Sequence, residues 1–186
     1  MARTSASHPL RVDQVPAPGT TGRIGMTFCP GKVQPHGQTG AWDRDLEADL
    51  QAIVATGATT LVSVIEPHEL ERLRVPTLPE RALALGLAWW GLPVPDGDVP
   101  RGTTEARYRD EVGPDLIRRL RAGELVVVHC MGGLGRTGLV SARLLVELGV
   151  TPDEAIRLVR AARWGAIETR AQEDFVRNLE ARPAPR

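Results

Sequence analysis

The sequence is poor in several residue types, and each shortage excludes a class of protein. Lys32 is the single lysine among 23 basic residues, and 23 acidic residues cancel their charge. The chain has no block of basic residues, whereas proteins that bind a nucleic-acid backbone concentrate such residues on one face. We therefore expect no nucleic-acid partner. Cationic contacts must come almost entirely from arginine, whose planar fork suits phosphate oxygens.

Cysteines and long apolar runs are also scarce. The two cysteines, Cys29 and Cys130, are too few and too far apart to form a disulfide scaffold. No segment approaches the ~18 apolar residues of a membrane span, and residues 1–22 lack the apolar stretch of a signal peptide. The four histidines do not have the spacing of a metal site. We expect a soluble, cytoplasmic protein without membrane attachment and without a metal.

The length of 186 residues suits one domain between two irregular ends. Proline and glycine interrupt any periodic pattern in residues 1–21, which we expect to form a flexible tail. The domain is expected to occupy residues 22–181, and residues 183–186 are expected to be a short frayed end.

Strands alternate with helices along this domain. Apolar and β-branched runs predict strands at residues 23–28, 59–65, 87–94 and 125–129. Apolar residues at three- and four-residue spacing predict helices at residues 43–55, 67–73, 77–85, 103–121, 137–148, 152–162 and 168–179. We expect Gly113 to interrupt the fourth helix. The alternation predicts an α/β fold, a single compact domain with a central, mainly parallel sheet flanked by helices on both faces.

The clearest strand, at residues 125–129, leads into a glycine-rich turn that contains Cys130. In parallel sheets, ligands bind where strands end and helices begin. The free amides and the dipole of the next helix favour a negative charge, and so does the guanidinium of Arg136. We therefore expect Cys130 to be a thiolate that serves as the nucleophile of phosphoryl transfer.

Three of the five residues between this cysteine and this arginine are glycines, which let backbone amides approach a ligand closely. A ring of inward-pointing amides binds an anion. The predicted phosphate-binding residues are Met131, Gly132, Gly133, Leu134, Gly135 and Arg136. Arg136 is expected to grip two phosphate oxygens, and the Thr137 hydroxyl to donate a hydrogen bond to the sulfur of Cys130.

The loop has the pattern Cys-x5-Arg-Thr with His129 before the cysteine, and it resembles the signature of protein tyrosine phosphatases and dual-specificity phosphatases. It is more similar to the cyclin-dependent-kinase-associated phosphatase group, whose loop also contains Gly-Gly-Leu-Gly-Arg. The likeness extends over residues 24–179, through segments 28–31, 69–70, 93–96 and 165–169. It implies the compact α/β phosphatase domain and hydrolysis of phosphomonoesters through a phosphocysteine, without a metal or organic cofactor.

The resemblance also implies a general acid and residues that place water. The family carries its acid as an Asp on a mobile loop, in the pattern Pro-aliphatic-x-Asp. Asp96 matches this pattern, and Asp98 is the alternative on the same segment. Gln172 and Glu168 match positions that place the hydrolytic water in relatives, although some relatives have Gln where this chain has Glu168.

Some alternatives remain open at this point. His129 either orders the loop through hydrogen bonds or is a buried core histidine, and Cys29 is either a packing residue or a redox partner. Residues 133–138 also fit Gly-x-Gly-x-x-Gly, the pattern of a dinucleotide site, but lie late in the chain and only helices follow them. A phosphate-binding module without turnover is a further class.

The expected substrate is a phosphorylated protein. The loop contains no lysine, and so lacks the extra basic groups expected for inositol rings. We therefore favour phosphotyrosine, with phosphoserine and phosphothreonine as possible additions, over the alternative of a small-molecule or inositol phosphate. Nothing in the pattern predicts an oligomeric state.

Overall fold

Strands and helices alternate along residues 2–37 and 40–180, the part of the chain that the computed structural model describes. The strands are β1 (Asp13–Pro16), β2 (Arg23–Thr27), β3 (Val33–Gly37), β4 (Gly40–Asp43), β5 (Ala58–Ser63), β6 (Ala88–Gly91) and β7 (Leu125–His129). The α-helices are α1 (Leu46–Ala55), α2 (Pro67–Arg72), α3 (Leu78–Ala84), α4 (Gly102–Arg107), α5 (Gly113–Arg121), α6 (Gly135–Glu147), α7 (Pro152–Ala162) and α8 (Arg170–Arg177).

Five strands form the central sheet, in the order β1-β2-β7-β5-β6. β7 lies in the middle and pairs in parallel with β2 and β5, while β5 pairs in parallel with β6. Only the edge strand β1 is antiparallel to its neighbour. Since the carboxyl ends of the parallel strands meet at one edge, the loops after β2, β5, β6 and β7 converge there.

The side chains of β7 show why helices cover both faces of the sheet. Val126 and Val128 point into a core cluster with α5, α6, α7 and α8. Leu125 and Val127 point into a second cluster with α1, α2 and α3. All four residues are buried because a central parallel strand has apolar layers on both sides. The predicted fold class is confirmed.

Four predicted helices differ from the structure by one or two residues at their ends, and two others differ more. The helix predicted from residue 43 begins at Leu46, because the Asp45 side chain accepts a hydrogen bond from the Ala48 amide at 2.7 Å and caps the first turn. The helix predicted at residues 103–121 is divided into α4, a π-helical turn at Tyr108–Val112 and α5. α5 begins at Gly113, the predicted interruption.

The expectation of a flexible, irregular tail over residues 1–21 is wrong for β1. This strand pairs with β2, and Val15 and Ala17 are buried in the core. Proline is tolerated there because β1 is an edge strand and ends at Pro16. The predicted frayed end at residues 183–186 and residue 181 lie outside the described residues.

The β3–β4 hairpin was not predicted. Its two strands pair antiparallel as a separate two-stranded sheet, and Trp42 is partnered by an isolated bridge from Arg3. The segment contains Pro35 and alternates poorly, so its sequence lacks the period-two pattern of a strand. Within the described part of the chain, no helix is both long enough and apolar enough to cross a membrane.

Candidate active site

The glycine-rich turn joins the central strand β7 to α6, at the carboxyl edge of the sheet. His129 is the last residue of β7, and α6 begins at Gly135. Cys130 is 3% exposed, and its sulfur accepts a hydrogen bond from the Gly133 amide at 3.2 Å. An amide directed at an atom is a donor suited to a negatively charged partner. This contact agrees with the predicted anion-stabilising loop.

The glycines of the turn differ in whether the surrounding structure requires a residue without a side chain. Gly133 has a φ of 74°, and a Cβ there would lie 2.3 Å from the carbonyl oxygen of Thr27 at the end of β2. A Cβ on Gly135 would lie 2.6 Å from the Glu168 carboxylate. Gly132 has open space around it. The first two positions therefore require glycine for packing as well as for chemistry.

The amide of Gly135 already has a hydrogen-bond partner, whereas the sequence predicted a ring of amides free to bind phosphate. It donates to the Glu168 carboxylate at 2.8 Å. This carboxylate therefore occupies one of the amides that were expected to bind phosphate. Glu168 was predicted only as a residue that places water, because nothing in a linear sequence brings position 168 to the start of α6.

Two cations hold the carbonyl groups of the turn. Arg163 donates from Nε to the Gly133 oxygen at 2.6 Å and from Nη2 to the Gly132 oxygen at 3.3 Å. Lys32 donates from Nζ to the Met131 oxygen at 3.3 Å. Because a peptide's carbonyl and amide point in opposite directions, anchoring these oxygens helps fix the orientation of the loop amides. The sequence analysis missed both cations.

Arg163 also connects the turn to the N-terminal strand. Its Nη1 donates to the Asp13 carboxylate of β1 at 2.7 Å. The strand that was expected to be flexible tail thus supports the reactive turn. No sequence signal separated Arg163 from the many other arginines.

Arg136 is buried, and Glu69 on α2 fixes its orientation. Its two terminal nitrogens donate to the Glu69 carboxylate at 2.6 and 3.0 Å, and Nη1 also donates to the Val94 oxygen at 2.9 Å. Burial alone would raise the pKa of Glu69, but the hydrogen bonds from Arg136 and from the Glu66 backbone outweigh it and lower that pKa. Glu69 was part of the family likeness, without a predicted role.

One donor of Arg136 remains available. Its Nε is buried and has no hydrogen-bond partner among the described residues. Burial alone would lower the pKa of Arg136, but the hydrogen bond to Glu69 and the electrostatic influence of Cys130, Glu69 and Asp96 outweigh it and raise that pKa. A fixed guanidinium with a free donor beside a sulfur is suited to bind an oxyanion.

The two candidate acids have different surroundings. A carboxylate oxygen of Asp96 lies 3.0 Å from Nη2 of Arg136, while 73% of the Asp96 side chain stays exposed. Asp98 instead accepts from the Val99 amide at 2.8 Å and pairs with Arg101. These two contacts, the Val99 bond first, lower the pKa of Asp98. The structure brings Asp96, and not Asp98, to the arginine of the turn.

His129 connects two strands beneath the turn. Its Nε2 lies 2.6 Å from the Ser63 hydroxyl of β5, and its Nδ1 lies 3.3 Å from the Cys130 oxygen. Burial lowers the pKa of His129 to about 4, so the ring is neutral at neutral pH. Since the carbonyl can only accept, Nδ1 carries the proton and Ser63 donates to Nε2. Of the two interpretations, the structure favours a histidine that orders the loop.

The hydrogen bonds of Thr137 and Gln172 differ from those predicted. The Thr137 hydroxyl is buried and has no partner among the described residues, so the predicted bond to sulfur is not formed here. The Gln172 oxygen accepts from the backbone amides of Glu168 and Thr169. Its amide nitrogen donates to the Asp98 oxygen at 3.3 Å and thus ties α8 to the loop that carries Asp96.

A cleft of about 350 Å³ opens over these groups. Of the predicted binding residues, Met131, Gly132 and Leu134 line it, together with Asp96. Its other walls come from segments that the sequence analysis did not connect with the site. These are Arg3, Phe28, Lys32, Gln34, Trp42 and Arg163, and Glu168, which was predicted to place water, completes the lining.

Comparison with known proteins agrees with this geometry. The family model described as "PTP-SAK: Swiss Army Knife protein, DSP-PTPase phosphatase domain" matches residues 38–176. The chain belongs to this family of phosphatase domains, and the resemblance predicted from the sequence is confirmed. Membership of a phosphatase-domain family argues against the dinucleotide-binding interpretation of residues 133–138.

Individual relatives lie in the kinase-associated phosphatase group. The chain is 31% identical over 136 residues to cyclin-dependent kinase inhibitor 3 of Rattus norvegicus, and 30% identical over 136 residues to that of Homo sapiens. Each alignment covers 72% of this chain and 62% of the relative, so the chain spans somewhat less than two thirds of these relatives' length.

Solved structures show the same fold. A kinase associated phosphatase with its catalytic cysteine replaced by serine superposes with a TM-score of 0.79 at 25% identity, over 91% of this chain and 93% of that one. Tk-PTP in its active form superposes with a TM-score of 0.67 at 27% identity, over 92% and 98% of the two chains.

Proposed function

We propose that this protein is a phosphatase of phosphorylated proteins that acts through a phosphocysteine at Cys130. The observation that carries the proposal is the partly satisfied guanidinium of Arg136. Glu69 holds its two terminal nitrogens, and its Nε is left as a buried donor without a partner among the described residues. A buried donor without an acceptor costs stability, so its retention fits a site that binds an oxyanion.

In the first step, the Cys130 thiolate attacks phosphorus. A sulfur–phosphorus bond forms while the bond from phosphorus to the leaving oxygen breaks. Asp96 gives its proton to that oxygen, so the leaving group departs as a neutral alcohol or phenol. The position of Asp96 against Arg136 supports this role, because the carboxyl group then reaches the side of the cleft where the phosphate is held.

In the second step, water attacks the phosphocysteine. Asp96, now a carboxylate, accepts a proton from the water, the sulfur–phosphorus bond breaks, and inorganic phosphate leaves. Arg136 and the Gly133 amide hold negative charge in both steps. Phosphotyrosine is the proposed substrate, with phosphoserine and phosphothreonine as possible additions. Because β1 supports the turn through Asp13, we place the start of the catalytic domain before residue 22.

Replacement of each cysteine by serine tests the proposal. Cys130→Ser is expected to abolish hydrolysis of p-nitrophenyl phosphate, and mass spectrometry of the acid-quenched wild type is expected to find one phosphoryl group on Cys130. Cys29→Ser is the matched control, because burial raises the pKa of the Cys29 thiol and keeps it neutral. Turnover that survives in Cys130→Ser, or that is lost equally in both variants, would contradict the mechanism.

A further inference from the structure

The cations without a carboxylate partner are unevenly distributed. Almost every arginine of the described residues forms an ion pair, and five basic residues there do not: Arg3, Arg23, Lys32, Arg74 and Arg121. Two of these, Arg3 and Lys32, line the cleft above the reactive turn. Unpaired positive charge is thus placed where a substrate enters.

Lys32 is an unusual member of this pair because it is 4% exposed. Its ammonium lies 4.2 Å from the ring centroid of Trp42 and 5.1 Å from that of Phe28, and it donates a hydrogen bond to the Met131 oxygen. Burial lowers the pKa of Lys32 to about 8, so its surroundings do not fully compensate the charge. An ammonium has three donors, and the contact to Met131 uses one of them.

Arg3 belongs to the same side of the cleft. Its guanidinium carbon lies 5.0 Å from the centroid of the Trp42 ring. The backbone of Arg3 is fixed to the hairpin by two hydrogen bonds, to Ala41 at 2.9 Å and from Asp43 at 3.1 Å. Arg3, Lys32 and Trp42, which we call the cationic wall, therefore form one surface held in place by β4.

We propose that the cationic wall binds a second negative group of the substrate, and that the preferred substrate is a phosphopeptide with an acidic residue beside the phosphorylated one. The inference rests on the proposed function and adds a substrate class to it. Arg136 at the buried turn already serves the scissile phosphate, so the wall is left for another anion. The apolar side chains of Phe28 and Met131 in the same cleft suit the uncharged parts of a peptide.

The wall also corrects the reason given for the expected substrate. The loop contains no lysine, so from the sequence alone the site lacks extra basic groups. The structure supplies them from positions 3 and 32, about a hundred residues before the turn. Asp96 and Glu168 line the same cleft and repel a second anion from their side, so the charge of the site is asymmetric.

The test compares phosphotyrosyl peptides that differ in one flanking residue, Glu, Gln or Lys, scanned over the positions on both sides. For the best position we expect kcat/KM to be roughly tenfold higher with Glu than with Gln, as for one charge-assisted contact, and lower still with Lys. In Arg3→Gln and in Lys32→Met the Glu-to-Gln ratio is expected to fall towards one. The ratio is the readout because it cancels any change in the chemical step.

Arg121→Gln is the matched control. Arg121 is an exposed, unpaired arginine at the end of α5, next to the amino-terminal end of β7 and so at the opposite edge of the sheet from the turn. This variant loses the same charge and is expected to keep the wild-type ratio. A ratio near one in the wild type, or one that persists in both wall variants, would overturn the inference and leave the proposed function intact.

Two further measurements separate the remaining outcomes. Calorimetry of the same peptides on Cys130→Ser gives the Glu-to-Gln ratio of Kd without turnover, so the wall is tested even if the proposed chemistry fails. A small bisphosphate, fructose 1,6-bisphosphate, is assayed in parallel. A gain that depends on Lys32 with this compound, and not with the acidic peptides, would overturn the assignment to peptides.

Discussion

The cation at the floor of the cleft has a carboxylate partner, whereas the cations of the cationic wall have none in the part of the chain that the structure describes. At the floor, Arg136 is buried against a bidentate carboxylate, Glu69, and a backbone carbonyl. On the wall, Lys32 is almost as buried but has rings and a carbonyl oxygen as its neighbours. A compensated cation holds its geometry in every state of the reaction, whereas an uncompensated one gains stability when an anion arrives. The difference separates catalysis from recognition.

The largest effect on activity is expected from replacing Arg136 at the floor of the cleft. Arg136→Lys retains the positive charge but loses the planar fork that engages Glu69, and with it the buried Nε donor that has no partner among the described residues. We expect kcat for p-nitrophenyl phosphate to fall by about 10²–10³, as when one oriented donor is removed from a site that binds developing charge. Steady-state kinetics over a range of substrate concentrations gives this value.

Arg143→Lys is the control for this change. Arg143 is on the same helix, is 5% exposed, and binds Glu105 with two nitrogens, so it has the same buried fork without a place in the cleft. Its replacement is expected to lower the melting temperature and to leave kcat close to the wild-type value. Near-normal kcat in Arg136→Lys would show that the fork is dispensable.

The next effect distinguishes the two acids of the loop after β6. Asp96→Asn is expected to lower kcat by about 10²–10⁴, the range for loss of a general acid. Asp98→Asn is expected to cost much less, because Asp98 caps the Val99 amide and pairs with Arg101 outside the cleft. The opposite ranking in steady-state assays would transfer the acid role to Asp98.

A series of aryl phosphates whose leaving phenols have decreasing pKa values tests the acid role of Asp96 further. At the end of this series the leaving group is strongly acidic. Such a leaving group needs no proton, so the loss in Asp96→Asn should shrink as the leaving-group pKa falls. A loss that stays constant across the series would mean that Asp96 positions the substrate and does not donate a proton.

The reactive turn could be predicted from the sequence, and the residues that surround it could not, for a physical reason. The ten residues from His129 to Gly138 are contiguous, so covalent geometry keeps the nucleophile, the glycines and the arginine together. Lys32, Arg163 and Glu69 reach the same place only through strand order, and strand order is a long-range property. Arg163 in particular, directly after α7, has no local pattern that distinguishes it from the arginines within that helix.

The secondary structure shows the same limit. The buried strand β7 and the helix α7 were predicted with the limits that the structure has, because apolar period and capping residues are local signals. The edge strand β1 and the hairpin β3–β4 were missed. Their prolines and polar residues are tolerated only because β1 has one neighbour and the hairpin lies outside the main sheet.

The smallest expected effect is a pH dependence of the free energy of unfolding. It tests whether the positive charge of Lys32 in the cationic wall lacks compensation. The pKa of Lys32 is about 8 in the folded protein and near 10.5 in the unfolded chain. Between these values the unfolded chain binds more protons, so this residue makes the free energy of unfolding rise with pH. Below about pH 8 the cost of the buried charge is fully present. Lys32→Met removes that cost, so we expect the variant to be more stable than wild type at pH 7.

That advantage should vanish as the pH is raised from about 8 to 10.5, where folded wild type has lost the proton. Urea unfolding of both proteins across this range measures the difference between them, which cancels the titration of Cys29 and Tyr108 because both proteins share it. Arg121→Gln should show no such trend. If Lys32→Met were the less stable protein at pH 7, the rings of Trp42 and Phe28 would already compensate the ammonium. An ammonium so compensated would gain little from a second anion, and the contrast between floor and wall would be lost.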